Sequence, residues 1–486
     1  MKSCLSILLA VVLTVANQAF AQNAKTKRRP ATTSVLSATT AANQNTGRIF
    51  SQKATNVPAS APFSIQMSAI SWTGAPTLQS YAMGQFQGYL LLIGGRTNGF
   101  HGTSDNESTF PTKYSNTNMF VLDVANQKVW SLPVPAAVKG QLSSSNMEYE
   151  QDGNVLYCIG GYGSSCGNDS AACYQTFPTL TAINVPNAIN AIQSNNPGAL
   201  AASILAVTDE RMRITGGSLH KLGNWFYLVM GHNYNTQYRG GVTGIYSQQV
   251  RRFQIGNTGS SLSIQNYQAY NAPWSGAFLS DQFHRRDLNV VETVMPDNTT
   301  GLTVYGGVFT QQSGAYLNPI YMFQTPAGSP YFGIDTTYKQ SFNLYDCAHI
   351  GLYSSRTRQM MTSLLGGITF YYYDKKGKLE ESNLLNFMPF SNWATTIVRN
   401  ADFTTYEIPQ QTPTLPGYIG SDAVFIPATN TPIYPGTKGI IDYDKLGSGR
   451  ILLGWVYGGI VATAPQSSEF NPTFANNKLY EVYLNR

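Results

Sequence analysis

The densest group of ionisable side chains in this sequence is "FHRRD", residues 283–287. Two adjacent guanidinium groups can hold a carboxylate through paired hydrogen bonds, and a neighbouring carboxyl or imidazole group can move protons to and from the bound molecule. The catalytic candidates are therefore Arg285, Arg286, Asp287, His349 and Glu148. A structural alternative stays open and is favoured: Arg286 and Asp287 form ion pairs between neighbouring structural units.

A second group of polar residues follows or precedes short apolar runs, where loops are expected. The residues predicted to bind a ligand are Arg96, His101, His232, Asp346 and Asp422. The loops themselves are rich in Asn, Gln, Ser, Thr, Tyr and Gly. This composition suits contacts with sugar hydroxyls and sugar C–H faces. It also suits protein contacts or unspecialised loops, and the sequence leaves the three possibilities open.

The spacing of the residues does not indicate a metal site or a cofactor site. The cysteines show no CxxC spacing, and the five histidines are scattered singly. The stretch "DYDKLGSG" at 442–449 lacks the ligands of an EF-hand, and "GGRTNG" lacks the Lys-Ser/Thr of a phosphate-binding loop. We predict no metal and no cofactor.

The strands that position these residues are marked by a repeated pattern. An apolar run that ends in Gly-Gly recurs along the chain. The copies are "YLLLIGG" (89–95), "VLYCIGG" (155–161), the degenerate "FYLVMGH" (226–232), "LTVYGG" (302–307), "TSLLGG" (362–367) and "GWVYGG" (454–459). A short strand-like run precedes each copy, and a further strand-like run follows it after a polar loop. Four short antiparallel strands in each of six repeats predict an all-β protein, a six-bladed β-propeller.

The first repeat resembles the unit of the Kelch family. In "YLLLIGG…NTNMFVLDVANQKVWSLPV" (89–134), the Gly-Gly pair, the following strand and Trp130 match the family pattern. Later units match less well: the third has His232 where the second glycine is expected, and most lack the tryptophan. The resemblance covers about residues 80–486. It implies a six-bladed propeller of a secreted bacterial type and is nearly silent on function.

Packing and closure of the repeats follow from simple physical arguments. Glycine is expected where blades crowd together, because a positive φ or a close backbone approach excludes a side chain. The strands before Gly-Gly should be buried on both faces, whereas the third strands should alternate. The last repeat ends without a fourth strand, so the strand-like "FSIQMSAISW" (63–72) should pair with the C-terminal strand and close the ring.

The N-terminal region has the features of an exported protein. Lys2, an apolar run and Ala19-Phe20-Ala21 predict a signal peptide over residues 1–21. Residues 22–60 are predicted to be a disordered basic linker, and residues 61–486 the propeller. Seven of the 31 basic residues precede Ala61, which leaves 24 against 25 acidic residues in the body. This balance argues against a nucleic-acid-binding body, although the basic tail could touch an anionic envelope surface.

An oxidising compartment permits disulfides. Cys166 and Cys173 enclose a loop-like stretch and are predicted to pair, whereas Cys158 and Cys347 lie in apolar runs and could be buried free thiols. The resulting interpretation is a secreted, periplasmic or cell-surface propeller without a membrane span, which binds a glycan or a protein through its loops without catalysis. The alternative is a periplasmic sugar mutarotase or epimerase of the sialic-acid type. The sequence does not decide whether the protein is an enzyme.

Overall fold

The computed structural model describes residues 47–101, 109–239, 244–310, 314–373, 378–382, 389–410, 415–466 and 472–486. Within these residues the fold is all-β and consists mainly of antiparallel sheets, as the sequence predicted. The predicted signal peptide and residues 22–46 of the predicted linker lie outside the described residues. No helix in the described part of the chain is long and apolar enough to cross a membrane.

Two strands precede the first complete sheet: β1 (Gly47–Phe50) and β2 (Ser64–Ile70). Sheet I consists of β3 (Ala82–Phe86), β4 (Tyr89–Ile93), β5 (Asn118–Asp123) and β6 (Lys128–Pro133). Sheet II consists of β7 (Ser145–Asp152), β8 (Val155–Ser164), the short β9 (Tyr174–Thr176), β10 (Thr179–Asn184) and β11 (Ile204–Thr208). Sheet III consists of β12 (Ser218–Leu222) and β13 (Trp225–Val229), followed after the hairpin β14 (His232–Asn233) and β15 (Ile245–Tyr246) by β16 (Val250–Asn257) and β17 (Leu262–Tyr270).

Three further sheets follow in the same chain order. Sheet IV consists of β18 (Asn289–Val294), β19 (Thr300–Tyr305), β20 (Ile320–Gln324) and β21 (Pro330–Asp335). Sheet V consists of β22 (His349–Ser354) and β23 (Gln359–Leu365), then, after the hairpin β24 (Tyr371–Tyr373) and β25 (Leu379–Glu381), β26 (Ala394–Arg399) and β27 (Thr405–Pro409). The remaining strands are β28 (Tyr418–Ser421), β29 (Val424–Pro427), β30 (Ile441–Asp442), β31 (Arg450–Tyr457), β32 (Ile460–Ala462), β33 (Thr473–Ala475) and β34 (Leu479–Asn485). Sheet VI has the order β2-β34-β31-β29.

The described helices are short: α1 (Lys139–Leu142), α2 (Val185–Gln193), α3 (Pro197–Ala202) and α4 (Ala277–Ser280). The pair α2 and α3 is inserted between β10 and β11 and was not predicted. Each begins at an asparagine whose side chain accepts a backbone N–H bond, Asn184 from Asn187 and Asn196 from Ala199. The apolar side of α2 is buried against sheet I, which accounts for its stability despite its length.

The Gly-Gly pairs have the steric role predicted for them. Gly94 and Gly95 have φ of +66° and +82°. A Cβ placed on Gly160 would lie 1.9 Å from the carbonyl oxygen of Ile214 in the next unit, so a side chain cannot be accommodated there. In the third unit the equivalent pair is Met230–Gly231, with φ of +55° and +83°. The prediction that His232 replaces the second glycine is therefore wrong, because His232 follows the pair.

The second residue of each pair donates a backbone hydrogen bond to the following sheet unit. The six bonds run from Gly95 to Ser144, Gly161 to Ile214, Gly231 to Arg285, Gly307 to Leu344, Gly367 to Ile419 and Gly459 to Leu78, with N···O distances of 2.7–2.9 Å. They connect the sheets in chain order, and the last bond returns from sheet VI to the segment before sheet I. We call them the ring bonds.

The apolar core is divided among consecutive sheets rather than gathered in one place. One cluster joins sheets I and II, another joins II and III, and further clusters join III with IV, IV with V, and V with VI. The cluster that contains Leu90 and Leu92 of sheet I also contains Tyr457 and Leu479 of sheet VI. Each sheet is thus buried against both of its neighbours in the order of the ring bonds.

The N-terminal strands confirm one prediction and correct another. β2 pairs antiparallel with β34 from Ser64–Asn485 to Ile70–Leu479, as predicted for the closing strand. β1, however, lies in the segment predicted as disordered linker and pairs in parallel with β21. Phe50 explains this, because its ring packs on Tyr321 and Phe403, and burial of these rings offsets the ordering of the strand.

The predicted alternation of the third strands holds only in part. β34 alternates between buried and partly exposed positions, whereas all six residues of β26 are buried. The second strands are buried on both faces as predicted, with Leu90–Ile93 of β4 an example. β26 differs because it lies between β23 and β27 with further chain packed on both faces.

The cysteines follow the sequence interpretation. Cys166 and Cys173 form a disulfide, and Cys158 and Cys347 are buried free thiols. Within the disulfide loop, Asp169 accepts hydrogen bonds from the backbone N–H of Thr112 and from the hydroxyl of Tyr174, at 2.7 and 2.6 Å. The disulfide loop of sheet II is therefore joined to the loop that follows β4 in sheet I.

A segment of sheet VI, residues 428–440, reaches across to the inner strands of other sheets; we call it the Lys438 strap. The ammonium group of Lys438 pairs with Glu150 of β7, and the backbone N–H groups of Lys438 and Gly439 donate to Glu292 of β18. β30, which follows the strap, pairs in parallel with β22. The strap thus connects sheet VI with sheets II, IV and V.

Candidate functional site

A cavity of about 280 Å³ lies where the first strands of all six sheets begin; we call it the inner cavity. Its lining comes from the residues just before β3 and β29 and from the beginnings of β7, β12, β18 and β22. Because every sheet contributes the same part of its first strand, the cavity lies at the common meeting point of the sheets.

Three aspartates and two glutamates line the cavity wall: Asp287, Asp346, Asp422, Glu148 and Glu150. The main chain links the aspartates in series, since Asp346 N–H donates to the Asp287 carbonyl and Asp422 N–H donates to the Asp346 carbonyl, at 3.1 and 3.2 Å. The hydroxyl of Ser80 donates to Asp422 Oδ1 at 3.1 Å. Asp287 and Asp422 have φ of +50° and +52°, a conformation that aspartate tolerates better than most residues.

The carboxyl groups hold their protons more tightly than usual. Burial raises the pKa of Asp422 to about 7, with a further contribution from the charge of Asp287. Burial, followed by the charges of Asp422 and Asp287, raises the pKa of Asp346 well above its ordinary value. Burial also raises the pKa of Glu148 to about 8, although the N–H of Gly217 donates to its Oε1 at 2.6 Å and opposes the shift. Near neutral pH the cavity therefore contains carboxyl groups close to half-protonation.

Two histidines lie in the same cavity and are neutral there. Burial, together with the nearby His349, lowers the pKa of His220 to about 3. Burial likewise lowers the pKa of His349, whose Nδ1 lies 3.2 Å from the carbonyl oxygen of Cys347. A neutral imidazole can donate or accept a hydrogen bond, and it does not offset the negative charge of the aspartates.

No lysine or arginine is among the described residues that line the cavity. Three cations act on its carboxyl groups from behind the wall. Lys438 pairs with Glu150, Arg286 Nε lies 3.4 Å from Asp287 Oδ2, and the charge of Arg251 opposes the rise in the pKa of Glu148. No group of three or more His, Cys, Asp or Glu in the described part of the chain is arranged to hold a metal ion. The cavity is therefore acidic and equipped for hydrogen bonding.

The two arginines of "FHRRD" have separate environments, and neither lines the inner cavity. Arg285 is fully buried, and its guanidinium donates to the carbonyl oxygens of Gln282, Gly306 and Asn318 at 2.8–2.9 Å. It also lies over the ring of Tyr316. Its backbone carbonyl accepts the ring bond from Gly231. Arg285 is thus engaged within the protein and not available as half of a clamp.

Arg286 bridges consecutive sheet units. Its Nη1 lies 2.9 Å from His232 Nε2 and 3.2 Å from the hydroxyl of Tyr234, both in the segment after β13. The guanidinium also lies over the ring of Phe309, 4.9 Å from its centroid. Arg286 therefore joins neighbouring units, as the structural alternative predicted. Its ion pair, however, is with the adjacent Asp287, and its partner in the neighbouring unit is His232.

The remaining predicted ligand residues, Arg96 and His101, lie in a cluster of loop aromatics outside the inner cavity. Arg96 is buried, donates to the carbonyl oxygen of Pro111 at 3.0 Å, and lies over the ring of Phe110. Burial lowers the pKa of Arg96 to about 10. His101 packs between aromatic rings, with Phe110 at 4.8 Å and Tyr238 at 5.0 Å.

The structure therefore brings five predicted residues together, Glu148, Asp287, Asp346, His349 and Asp422, and separates them from the others. Sequence reasoning did not assign Ser80, Asn146 or Ser218 to the site, although all three line the cavity. These three residues could have been predicted from the sequence, because each lies at the start of the first strand of its sheet, as Asp287 and Asp422 do. The pairing of Lys438 with Glu150 could not have been predicted in this way, because 288 residues separate the two in the sequence.

No protein-family model and no curated protein matches this chain. Among solved structures it is similar to YjhT, with 11% identity and a TM-score of 0.44 over 83% of this chain and 99% of that chain. A similarity at this level carries no argument about fold or function.

Proposed function

We propose that the chain is a six-bladed β-propeller of the Kelch type, in which sheets I to VI are the blades and β2 completes the last one. The proposal is supported by the ring bonds, which return from sheet VI to the segment before sheet I, and by the core clusters shared between consecutive sheets. In such a ring the inner cavity lies on the central axis, a common place for ligands in propellers.

We further propose that the inner cavity binds a small hydroxyl-rich ligand of the monosaccharide class. The observation that carries this proposal is a cavity of about 280 Å³, near the lower end of the roughly 300–1,000 Å³ usual for ligand sites. Carboxyl, hydroxyl and amide groups such as Asp346, Ser218 and Asn146 can bond sugar hydroxyls, and the rings of Tyr149 and Phe425 offer apolar faces.

This proposal refines the sequence interpretation in two respects. It places binding in the cavity rather than on the loops, where Arg96 and His101 are packed among aromatic rings. It also argues against a clamp for an anionic, sialic-acid-type sugar. Arg285 is engaged within the protein, and no lysine or arginine among the described lining residues can pair with a bound carboxylate. A secreted or periplasmic location remains part of the proposal and is compatible with the disulfide.

A second candidate function, proton transfer to the bound sugar, is favoured by one observation. Asp422 and Glu148 have pKa values raised to about 7 and about 8, in the range where a carboxyl group serves as acid or base near neutral pH. Interconversion of sugar anomers requires one group that protonates the ring oxygen and another that removes the hydroxyl proton. A mutarotase is therefore the catalytic form of the same proposal.

The test of binding is a calorimetric and thermal-shift screen of the full chain against neutral and charged monosaccharides. We expect at least one sugar to bind and to lose its affinity when Asp346→Asn and Asp422→Asn are combined. Glu380→Gln is the control, because Glu380 pairs with Lys378 on an exposed hairpin away from the cavity. If no sugar binds, or if the double variant binds as well as the parent, the proposal is wrong.

The catalytic candidate needs a separate measurement on the sugar that binds. The rate at which its anomers interconvert is followed by NMR with the parent chain and with Glu148→Gln. A mutarotase loses its rate enhancement in the variant even at sugar concentrations that saturate the variant. Equal rates with and without the protein leave binding as the only function.

A further inference from the structure

The charge of the inner cavity is unbalanced in the part of the chain that the structure describes. Five carboxyl-bearing residues line it, but no lysine or arginine does. Glu150 has its own partner in Lys438, and Asp287 lies beside Arg286. The charge of the buried Arg251 acts on Glu148 without an ion pair between them. Asp346 and Asp422 have no ion pair with a lysine or arginine among the described residues.

Glu148 gives an independent indication that something is bound there. Its side chain is 2% exposed and lines the same cavity. Oε1 accepts the N–H bond from Gly217, whereas the buried Oε2 has no hydrogen-bond partner among the described residues. A buried carboxyl oxygen without a hydrogen-bond partner is costly in either protonation state, and a partner supplied by a ligand would remove that cost.

We propose that the ligand of the inner cavity carries an ammonium group, as an amino sugar does, and that Glu148, Asp346 and Asp422 hold this group. The inference rests on the proposed function and specifies its ligand class. An ammonium group has three N–H donors that point in different directions, and the three carboxyl groups come from sheets II, V and VI. Charge-assisted bonds of this kind are stronger than bonds between neutral groups.

An organic cation fits the lining better than a metal ion does. The described residues contain no group of His, Cys, Asp or Glu arranged to hold a metal. Tyr149 also lines the cavity, and aromatic side chains attract organic cations as well as sugar C–H groups. The buried carboxyl groups retain protons while the cavity has no cation, and an arriving ammonium group displaces those protons.

The test compares glucosamine with glucose, which is nearly equal in size, and with N-acetylglucosamine, which is larger by an acetyl group. They differ at one carbon, which carries an ammonium, a hydroxyl or an uncharged amide. Calorimetry with the full chain near neutral pH should give binding of glucosamine about tenfold or more tighter than that of the other two. Its apparent enthalpy should also differ between phosphate and Tris buffers, because displaced protons are taken up by the buffer.

The variant for this test is Asp422→Asn, which changes charge with little change in shape. Asparagine tolerates the positive φ of this position, and its Oδ1 can still accept from Ser80. We expect the preference for glucosamine over glucose to fall toward unity, with the preference unchanged in the control Glu380→Gln. Glucosamine binding no tighter than glucose, or without proton release, overturns the inference. A neutral sugar that binds in the same titrations would leave the proposed function standing.

Discussion

At the scale of single residues, three neighbours in sequence have three different roles. Arg285 bonds backbone carbonyl groups in the interior, Arg286 contacts His232 of the preceding sheet unit, and Asp287 lines the inner cavity. The backbone turns at Asp287, where φ is +50°, so the three side chains point in different directions and adjacency in the sequence did not mean a shared site. The residue types could be recognised as important from the sequence, but the direction of each side chain depends on the fold.

Arg285→Met tests the interior role. The substitution leaves the carbonyl oxygens of Gln282, Gly306 and Asn318 without their buried donor. We expect it to lower the free energy of unfolding by about 2–4 kcal/mol, measured by denaturant titration. The control is Arg356→Met, since the side chain of Arg356 is 70% exposed and pairs with Asp444 at 3.5 Å. That change should have almost no effect, and equal losses for both variants would contradict the assignment.

The carboxyl groups of the cavity predict a dependence of stability on pH. The folded chain holds protons on Asp422 and Glu148 up to about pH 7 and 8, whereas an unfolded chain releases them near pH 4. The folded state therefore binds more protons, and the free energy of unfolding falls as pH rises through this range. His220, with a pKa of about 3, acts in the opposite direction below about pH 6.5. Between about pH 6.5 and 8 the imidazole contribution is therefore small, and the carboxyl groups are opposed only near the upper end, where burial lowers the pKa of Lys438 to about 8.

We expect Glu148→Gln to flatten this decline by up to about 1.4 kcal/mol per pH unit between about pH 6.5 and 8. Unfolding by urea at several pH values in this range measures the slope. Part of the slope should remain, because burial also raises the pKa of Glu407, far from the cavity lining, to about 7. A variant with the slope of the parent chain would mean that Glu148 is ionised in the folded protein.

At the scale of elements, the Gly-Gly turns are where the sequence was most informative. Their spacing predicted the second strands, and the apolar runs before the paired glycines marked the six sheets in the sequence. The inserted helices α2 and α3 were missed although Asn184 and Asn196 are ordinary helix caps, each followed by proline at the start of the helix. A strand was expected at that point in every repeat. β1 was missed because its segment, residues 47–50, has the polar and basic surroundings of a linker.

Gly160→Ala and Gly153→Ala separate backbone strain from crowding between sheets. Both glycines have positive φ, +66° and +58°, so both substitutions carry a similar conformational cost of about 1–2 kcal/mol. Only at Gly160 would the new Cβ collide with a neighbour, the carbonyl oxygen of Ile214, whereas nothing lies within 4 Å at Gly153. We expect Gly160→Ala to lose at least about 2 kcal/mol more stability, measured by denaturant unfolding. Similar losses would show that the turn conformation alone requires glycine.

At the scale of the whole molecule, closure by β2 predicts that two nearby truncations differ sharply. A chain that begins at Ala61 loses β1 but retains β2, whereas a chain that begins at Ser71 loses both. Removal of β2 exposes β34 along its whole length and uncovers Ile65 and Met67, which are buried in the cluster between sheets V and VI. We expect a modest fall in Tm for the first chain and a fall of more than about 10 °C, or failure to fold, for the second.

Calorimetric scans of the two truncated chains measure this difference in Tm. A chain that begins at Ser71 and melts with the same Tm as the one that begins at Ala61 would contradict closure by β2. The sequence predicted this pairing because each end of the chain had an unpaired strand. It could not predict the location of the inner cavity's carboxyl groups relative to one another, because that depends on how all the sheets are arranged.

The Lys438 strap has a consequence for how such a molecule unfolds. In a ring where each sheet contacts only the next, opening one junction would let the others separate one after another, as in a linear repeat protein. The strap adds contacts of another kind, since it ties sheet VI to sheets II and IV, which are not its neighbours. Loss of one junction therefore leaves sheets II, IV and VI joined by a second set of contacts, and the molecule should unfold as one unit rather than sheet by sheet.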